Sequence, residues 1–432
     1  MHQNFKLLVG EFPTTTGDLV LEPLSFVRID VDVYDSGKSI LDWCRTRMSP
    51  NGVIVFDDYG FLSTDGITKL VNENFIDDDF LIVYNLNGHE IWSKGPNFVD
   101  IPLSRYNGTM GMKILVTGGA GFIGSHLCER LILDGHSVTA LDDFSTGTRL
   151  NLERLKLSPN FKIVEGSILD SKLMDSLVKE SNYVFHLAAA VGVFNIVKNP
   201  LNSLFTNIRG TENVLKSAND SQVPVFLASS SEVYGKNVSD SLKEGSERIL
   251  GSPTTLRWSY SEAKAIDESL AYAYFVEKQL ETRIVRLFNT VGPRQLGAYG
   301  MVVPRFVKSA IADEPITIYG DGKQTRCFAH VYDVVGAVTA IAFADNTIGR
   351  VINIGNNFEI SIKDLAQKVI SQTNSKSEIV YTPYDQAYGE GFEDMERRVP
   401  NIDLIQKLVG WKPKLDLTSI IDDISSDMKR AI

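Results

Sequence analysis

Tyr260 and Lys264 stand four residues apart and together could remove a proton from a hydroxyl group. Positions i and i+4 share one face of a helix, so both side chains can point into one cleft. A phenol with its ordinary pKa near 10 is a poor base at neutral pH, but a neighbouring ammonium group stabilises the phenolate and lowers that pKa. Because such a pair also arises by chance, the surrounding elements must decide whether it forms a site.

A glycine-rich turn supplies the strongest supporting signal. Gly118, Gly121 and Gly124 follow a G-x-x-G-x-x-G spacing between a predicted buried strand, residues 112–117, and a predicted helix, residues 122–133. Glycines in this arrangement permit a tight turn, a close backbone approach to a pyrophosphate and close packing of helix on strand. The free N–H groups of the helix N-terminus suit phosphate oxygens. The turn therefore predicts a dinucleotide site.

Alternating strands and helices follow this turn, which predicts a doubly wound parallel sheet of the Rossmann type. Asp142 ends the second strand, about 20 residues after the glycines, where a carboxylate holds a ribose 2′-hydroxyl and repels a 2′-phosphate. This favours NAD over NADP, although Arg149 nearby is a counter-signal that we interpret as a solvated loop residue. The predicted strands are residues 137–141, 162–165, 183–187, 225–229 and 282–287.

From residue 112 onward the chain resembles the extended short-chain dehydrogenase/reductase family, in particular its NAD-dependent nucleotide-sugar epimerase/dehydratase group. The matching segments are residues 117–124, 186–189, 229–235 (Ser-Ser-Ser-Glu-Val-Tyr-Gly), 260–264, 285–293 and 320–326. The resemblance implies one domain over residues 112–432, with a smaller C-terminal substrate-binding part mainly within residues 289–400.

The resemblance also assigns roles to residues. Tyr260 would be the general base, Lys264 would bind the nicotinamide ribose and tune Tyr260, and Ser230 would share the hydrogen bond to a sugar hydroxyl. Where the family often has an acidic residue that meets the adenine, this chain has the uncharged Ser167. The implied NAD contacts are Gly118, Gly121, Phe122, Ile123, Gly124, Asp142, Ser167, Ala188 and Lys264. For the diphosphate of a nucleotide-sugar they are Asn289, Arg326 and either Arg397 or Arg398, of which we favour Arg397.

Three reactions share the implied first step, oxidation of a sugar at C4 to a transient 4-keto intermediate. The segment 189–193 (Ala-Ala-Val-Gly-Val) is similar to the epimerase version, so we favour UDP-sugar 4-epimerisation. The alternative is UDP-glucuronate decarboxylation, because Glu232 after Ser230 and Ser231 resembles the decarboxylases and would be catalytic there. A 4,6-dehydratase ranks third, since Ser231 lacks the required acid, and a non-catalytic nucleotide-sugar-binding protein ranks last.

Composition restricts the remaining function classes. The net charge of −11 argues against a nucleic-acid partner, and no apolar run approaches the roughly 20 residues that span a bilayer. The three isolated cysteines, Cys44, Cys128 and Cys327, have no metal or disulfide spacing and predict buried structural residues in a cytoplasmic protein. We also expect a homodimer, for which the helix at residues 267–278 offers a face.

The first quarter of the chain differs in composition. Residues 1–107 hold 16 acidic and 8 basic side chains, and residues 108–111 form a plausible linker. Predicted strands near residues 24–36 and 52–60 resemble part of the macrocin O-methyltransferase family, in which Asp30, Asp57 and Asp58 would match carboxylates that bind a divalent ion. We make no firm metal assignment.

The part of that family that holds S-adenosylmethionine is not expected here, because fewer than 30 residues precede the strand of Asp30. Methyltransferase activity of this segment alone is therefore not expected. We favour a structural role, in which the segment packs against the main domain or a second subunit. The alternative is a methyltransferase site completed by another chain.

Overall fold

The computed structural model describes residues 12–14, 17, 20, 23–29, 34–56, 70, 80–85, 89–94, 111–192, 196, 198–295, 301–383, 386 and 395–430. The chain divides into two compact units, Met1–Gly108 and Thr109–Ile432. The predicted linker, residues 108–111, falls at this division. No helix in the described part of the chain combines the length and the apolar character needed to span a bilayer.

The first unit contains a mixed four-stranded sheet in the order β1-β2-β4-β3. Strands lie within both segments for which the sequence predicts them, and β1 and β2 are parallel. β4 pairs antiparallel with both β2 and β3, and this hairpin was not predicted. The edge strand β1 is only partly buried: Phe26 is 63 % exposed, whereas Ile29 is 1 % exposed. The elements are β1 (Leu24–Ile29), α1 (Tyr34–Arg45), β2 (Met48–Phe56), β3 (Phe80–Asn85) and β4 (His89–Lys94).

The second unit is built on a seven-stranded sheet in the order β15-β10-β9-β8-β5-β6-β7. Every neighbouring pair is parallel, which confirms the predicted doubly wound sheet. The strands and their main helices are β5 (Lys113–Thr117), α2 (Phe122–Leu133), β6 (Ser137–Asp142), β7 (Phe161–Glu165), α3 (Ser171–Lys179), β8 (Tyr183–His186), α4 (Pro200–Ser221), β9 (Val225–Ser230), α5 (Ser259–Lys278) and β10 (Thr282–Leu287). The last strand of the sheet, β15 (Val351–Ile354), comes later in the chain.

The order of the strands places a crevice at one point of this sheet. From β5 the chain proceeds to β6 and β7 on one side, then returns to β8, β9 and β10 on the other. Ligands of open parallel sheets bind outside the carboxyl ends of the strands at such a switch point. The central strands are apolar on both faces, as in Ile114, Leu115 and Val116 of β5, because helices cover both faces of the sheet.

A second apolar core follows β10 and forms the smaller C-terminal part. It centres on buried side chains that include Phe306, Ile318, Leu365 and Ile420. The elements after β10 are β11 (Thr290–Val291), α6 (Val302–Ile311), β12 (Ile316–Tyr319), β13 (Thr325–Cys327), β14 (Ala329–His330), α7 (Val331–Ala342), β16 (Glu359–Ser361), α8 (Ile362–Thr373), β17 (Ile379–Thr382), α9 (Asp403–Val409) and α10 (Leu417–Arg430). Cys44, Cys128 and Cys327 are free thiols and all are buried, as predicted.

Candidate active site

A cavity of about 880 Å³ lies at the carboxyl ends of the central strands and extends toward the C-terminal part. Cavities that bind nucleotides and similar ligands measure roughly 300–1,000 Å³. Its lining includes the glycine turn, Asp142, Ser230, Tyr260 and Lys264. Residues that are far apart in the sequence therefore meet at the switch point of the sheet.

The glycine turn has a backbone that other residues could not adopt. Gly118 has a φ of +70°, in the left-handed region. A Cβ atom on Gly124 would lie 2.0 Å from the carbonyl oxygen of Gly118, so α2 can approach the turn only with glycine at this position. No side chain caps the N-terminus of α2. Its first residues, Phe122 and Ile123, line the cavity, and the helix therefore presents its N–H groups to a ligand.

Asp142 lies at the end of β6, beside this turn. Its carboxylate accepts hydrogen bonds from the N–H groups of Ala120 and Phe144, both at 2.9 Å. Burial raises the pKa of this carboxyl, and the two N–H donors oppose that effect. Arg149, the counter-signal for NADP, forms an exposed ion pair with Glu165. Asp142 thus remains the predicted ribose contact.

Ser167 and Ala188, two further predicted NAD contacts, also line the cavity. The hydroxyl of Ser167 accepts a hydrogen bond from the N–H of Leu169 at 3.3 Å. The N–H of Ala188 donates to Thr117 Oγ1 at 3.2 Å. The residues present fit NAD: the N–H groups at the start of α2 would hold its phosphates, and Asp142 would accept a hydrogen bond from a ribose hydroxyl.

Tyr260 is half-buried at the start of α5. The hydroxyl of Ser230 lies close enough to the Tyr260 hydroxyl to lower the pKa of the phenol. Burial raises the pKa of Tyr260, the negative charges of Glu232 and Asp267 raise it further, and Ser230 and Arg257 lower it. The predicted partnership of Tyr260 with Ser230 is thus present in the geometry.

Lys264 is held by two buried partners. Its ammonium group donates to the carbonyl of Ala228 at 3.1 Å and pairs with Asp267 at 3.2 Å. Lys264 is 2 % exposed and Asp267 is fully buried. Among the main influences on Tyr260, Ser230 and Arg257 lower its pKa, and the predicted tuning of Tyr260 by Lys264 stays a prediction.

A buried polar chain connects this lysine with the glycine turn. His186 at the end of β8 hydrogen-bonds with Thr117 at 2.8 Å and with Thr211 of α4 at 3.0 Å. Thr211 in turn hydrogen-bonds with Asp267. Burial, together with the charge of Lys264, lowers the pKa of His186 to about 3, so the imidazole is neutral. The chain fixes the two halves of the site relative to each other.

Glu232 forms a second charged cluster beside Tyr260. Its carboxylate pairs with Arg257 at 2.6 Å and with Arg398 at 2.8 Å. Burial favours the neutral acid, but the two guanidinium groups outweigh it and hold the pKa of Glu232 well below its usual range. Glu232, Arg257 and Arg398 all line the cavity, and we call them the Glu232 cluster.

The predicted diphosphate contacts fall into two groups. Asn289 and Arg326 line the cavity; Asn289 also donates to the carbonyl of Cys327 at 3.0 Å. Arg397, by contrast, does not line the cavity and pairs with Glu359 at 2.8 Å. Arg398 rather than Arg397 lines the cavity, where it pairs with Glu232, so the structure favours Arg398 of the two arginines that the resemblance offered.

Sequence reasoning missed two groups that line the cavity, Arg257 and the pair formed by Arg305 and Tyr319. The guanidinium carbon of Arg305 lies 4.3 Å from the ring centre of Tyr319. Arg257 precedes Tyr260 by three residues, so its place beside the catalytic helix was an available signal. Nothing in the local sequence indicated that Arg305 and Tyr319 would meet.

The predicted divalent-ion ligands of the first unit, Asp30, Asp57 and Asp58, lie outside the described residues. Within the described residues, no group of three or more His, Cys, Asp or Glu side chains could hold a metal ion.

Comparison with known proteins identifies the family. The family model described as GDP-mannose 4,6 dehydratase matches residues 115–424, more than half of the chain. The chain belongs to this family of extended short-chain dehydrogenases/reductases. Its members in this comparison act on nucleotide-sugars, and this protein is an NAD-dependent nucleotide-sugar-modifying enzyme of the family. A second model, described as macrocin-O-methyltransferase, matches residues 1–82 and confirms the resemblance of the first unit.

Two relatives within this family are decarboxylases by name. The UDP-N-acetyl-alpha-D-glucosaminuronate decarboxylase of Bacillus cytotoxicus is 40 % identical over 307 residues, which cover 71 % of this chain and 94 % of the relative. UDP-glucuronic acid decarboxylase 1 of Xenopus tropicalis is 36 % identical, over 71 % of this chain and 69 % of the relative.

A solved structure represents the epimerase branch of the family. The UDP-glucuronic acid 4-epimerase of Bacillus cereus, in complex with UDP-glucuronic acid and NAD, has a TM-score of 0.68 and is 28 % identical. The match covers 74 % of this chain and all of that one.

Proposed function

We propose that this protein is a UDP-sugar uronate decarboxylase that acts through a transient 4-keto intermediate. The observation that carries the proposal is the 40 % identity to a UDP-N-acetyl-alpha-D-glucosaminuronate decarboxylase over 94 % of that relative. This favours the alternative of the sequence analysis over 4-epimerisation. The substrates to compare are UDP-glucuronate and UDP-N-acetylglucosaminuronate.

The charge of the cavity supports an anionic sugar. Among its described lining residues, the cationic side chains outnumber the acidic ones. A UDP-uronate carries a carboxylate in addition to its diphosphate, so it gains more from this excess than UDP-glucose does. An arginine guanidinium group can form two parallel hydrogen bonds with either a carboxylate or a phosphate. The cationic residues are Arg257, Lys264, Arg294, Arg305, Arg326 and Arg398, and the acidic ones are Asp142, Asp143 and Glu232. Lys264 and Arg294 are paired with Asp267 and Glu129 outside the lining, which leaves four arginines against three acidic residues.

The roles of the residues follow from the site geometry. Tyr260 takes the proton of the sugar C4 hydroxyl, and Ser230 holds that oxygen by a hydrogen bond. NAD, when bound at the glycine turn, supplies reversible acceptance of hydride from C4. The resulting 4-keto uronate is a β-keto acid, and it loses carbon dioxide when the C5–C6 bond breaks and its electron pair moves toward the C4 carbonyl. C5 then takes up a proton. C4 regains the hydride that it gave up, and Tyr260 returns its proton to the C4 oxygen, which restores the hydroxyl group.

Carbon dioxide release from the wild-type chain tests the proposal. The purified protein is incubated separately with UDP-glucuronate, UDP-N-acetylglucosaminuronate and UDP-glucose, and the products are analysed by mass and sugar composition. We expect carbon dioxide and a UDP-pentose or UDP-N-acetylpentosamine from a uronate, and no product from UDP-glucose. Conversion of a substrate to its C4 epimer without carbon dioxide would overturn the proposal.

Epimerisation is the second candidate function. The segment 189–193, which is similar to the epimerase version, favours it. The structural likeness to the Bacillus cereus UDP-glucuronic acid 4-epimerase favours it too, at the lower identity of 28 %. Because that enzyme by name acts on the same sugar nucleotide, the UDP-glucuronate incubation separates the two candidates directly.

We further propose that the protein is a homodimer that pairs through α4 and α5. On α5, the exposed apolar residues Tyr272 and Val276 are four residues apart and share one face, and on α4 the exposed Leu201 and Phe205 are also four residues apart. Apolar side chains grouped in this way mark an interface. The expected partner is a second copy, because a two-fold axis would place each helix pair against its equivalent.

Sedimentation of charged variants tests the dimer. Phe205→Glu with Val276→Glu should convert a dimer to a monomer. Leu157→Glu, at a position that is 89 % exposed outside these helices, should not change the assembly. A wild-type chain that sediments as a monomer would refute the proposal.

A further inference from the structure

Arg257 lies in a rigid turn directly before the catalytic helix. The short 3-10 helix Leu256–Trp258 leads into α5, and Trp258 anchors it with 1 % exposure. The side chain of Arg257 is 6 % exposed and reaches Glu232 at 2.6 Å. Because its neighbour Trp258 is buried, the turn cannot shift without disturbing the core.

The three residues of the Glu232 cluster come from three separate parts of the chain. The glutamate follows β9, Arg257 precedes α5, and Arg398 comes from the segment before α9. The backbone N–H of Glu232 donates to Ser230 Oγ at 3.2 Å, and both Ser230 and Glu232 act on the pKa of Tyr260. The Glu232 cluster therefore lies close enough to the proposed base to influence its charge.

The charges around Tyr260 oppose one another. Glu232 from the turn after β9 and Asp267 from α5 both raise the pKa of Tyr260, whereas Arg257 lowers it. Arg398 faces Glu232 from the other side, and Lys264 is paired with Asp267. Removing Arg257 would leave the negative charge of Glu232 less compensated at the Tyr260 hydroxyl.

We propose that Arg257 is a positioning residue for the reaction: it fixes the Glu232 carboxylate opposite Arg398 and offsets the charge of that carboxylate beside the Tyr260 hydroxyl. This inference rests on one part of the proposed function, the role of Tyr260 as the general base. It does not depend on whether the product is a decarboxylated or an epimerised sugar.

The pH dependence of turnover tests this role with three variants. The reaction followed is whichever conversion of the UDP-sugar the wild-type chain performs, so failure of the decarboxylase proposal leaves this test intact. In Arg257→Gln we expect the acid limb of the kcat/KM profile to move up by about one to three pH units. Glu232→Gln should move it down, and the double variant should lie between the two.

Two controls separate positioning from a purely structural role. Arg257→Lys keeps the positive charge but loses the planar guanidinium group that can form two parallel hydrogen bonds. Its acid limb should therefore move less from the wild-type position than the acid limb of Arg257→Gln does. Arg130→Gln removes a more exposed ion pair with Asp134, outside the cavity lining, and should leave the profile unchanged. Melting temperature and UDP binding are measured for every variant, and Arg257→Lys carries the test if Arg257→Gln does not fold.

Two results would overturn the inference. One is an acid limb in Arg257→Gln and Arg257→Lys that coincides with that of the wild type, with only the melting temperature lowered. The other is an acid limb in the double variant (Arg257→Gln with Glu232→Gln) that lies as far from the wild-type limb as the acid limb of Arg257→Gln alone.

Discussion

Tyr260, the proposed base, has a pKa that is set by neighbours from several parts of the chain. Burial, Glu232 and Asp267 raise its pKa, and only Ser230 and Arg257 act in the other direction among the main influences. A base balanced in this way responds to single charge changes that barely alter the fold. At the scale of the residue, substitutions near Tyr260 should therefore affect turnover more than stability.

Replacing Tyr260 with Phe removes only the hydroxyl. We expect kcat to fall by about 10²- to 10⁴-fold, the usual contribution of a general acid or base, while UDP binding measured by calorimetry is unchanged. Tyr272→Phe on the same helix is the matched control, since Tyr272 is 51 % exposed. Retention of wild-type turnover by Tyr260→Phe would mean that another group is the base.

The sequence predicted that Tyr260 and Lys264 share one cleft, but it did not predict the partners of Glu232. Tyr260 and Lys264 are four residues apart, and helical geometry alone places them on one face. The contacts of Glu232 span 25 residues to Arg257 and 166 to Arg398, so only the folded chain brings them together. Only the folded structure shows that Arg398 rather than Arg397 lines the cavity, because the local sequence does not specify which of two adjacent side chains faces the site. Similarly, the burial of Asp267 beside Lys264 decides where the charge of the lysine acts.

At the scale of the element, the turn between β5 and α2 is the most constrained part of the site. Gly118 supplies a left-handed backbone conformation, and Gly124 allows the helix to pack against the turn. The apolar strand and the glycine spacing made this element predictable, and α2 begins and ends where the sequence predicted. The hairpin of β3 and β4 was missed, and its antiparallel pairing with β2 arises only from tertiary contacts.

Adding one methyl group to the turn should damage it. A Cβ at position 124 would meet the Gly118 carbonyl oxygen, so Gly124→Ala should lower stability by about 1–3 kcal/mol and weaken NAD binding. Gly336→Ala in α7 is the control, because a Cβ atom at that position would have no heavy atom of another element within 4 Å, and helix propensity predicts a gain of about 0.5–1 kcal/mol. Thermal melting and NAD titration distinguish these outcomes, and wild-type NAD affinity in Gly124→Ala would contradict the role of the turn.

At the scale of the whole molecule, each unit has an apolar core of its own. The first unit packs residues such as Leu41 and Ile54, and the second packs the two faces of the central sheet and the C-terminal part. A unit with its own core can fold independently. The described cavity is lined entirely by residues of the second unit.

A chain that starts at Met112 should therefore fold and retain the turnover of the complete protein. Circular dichroism, sedimentation and the product assay measure fold, assembly and activity. Equal activity and unchanged assembly would show that the first unit is dispensable for this reaction. Loss of turnover with an intact fold would instead assign the first unit a role in the reaction.

Two buried histidines predict how stability depends on pH. Burial is the largest cause that lowers the pKa of His126 and of His186, in each case to about 3. The positive charge of Arg294 lowers the pKa of His126 further, and the charge of Lys264 does the same for His186. Below their unfolded pKa of about 6.5, the unfolded chain binds protons that the folded chain does not, so stability decreases as the pH falls from about 6.5 toward 3. The two histidines together contribute a slope of about 2–3 kcal/mol per pH unit.

Urea unfolding at pH 7 and pH 5.5 measures this slope. His126→Phe keeps an aromatic ring against Phe122 and Tyr332 and should reduce the slope by the contribution of one histidine, about 1.4 kcal/mol per pH unit. His136, whose pKa burial also lowers, adds to the slope that remains. An unchanged slope in this variant would assign the pH dependence to other groups.

The contacts of Lys264 with Ala228 and Asp267 have a thermodynamic consequence for ligand binding. A free lysine side chain loses about 1.5–2 kcal/mol of rotamer entropy when it becomes fixed. Here that loss accompanies folding, because the ammonium group is already held at 3.1 and 3.2 Å. A ligand that meets this lysine therefore binds a preorganised group, and its dissociation constant is lower by roughly 10- to 30-fold than it would be with a mobile lysine.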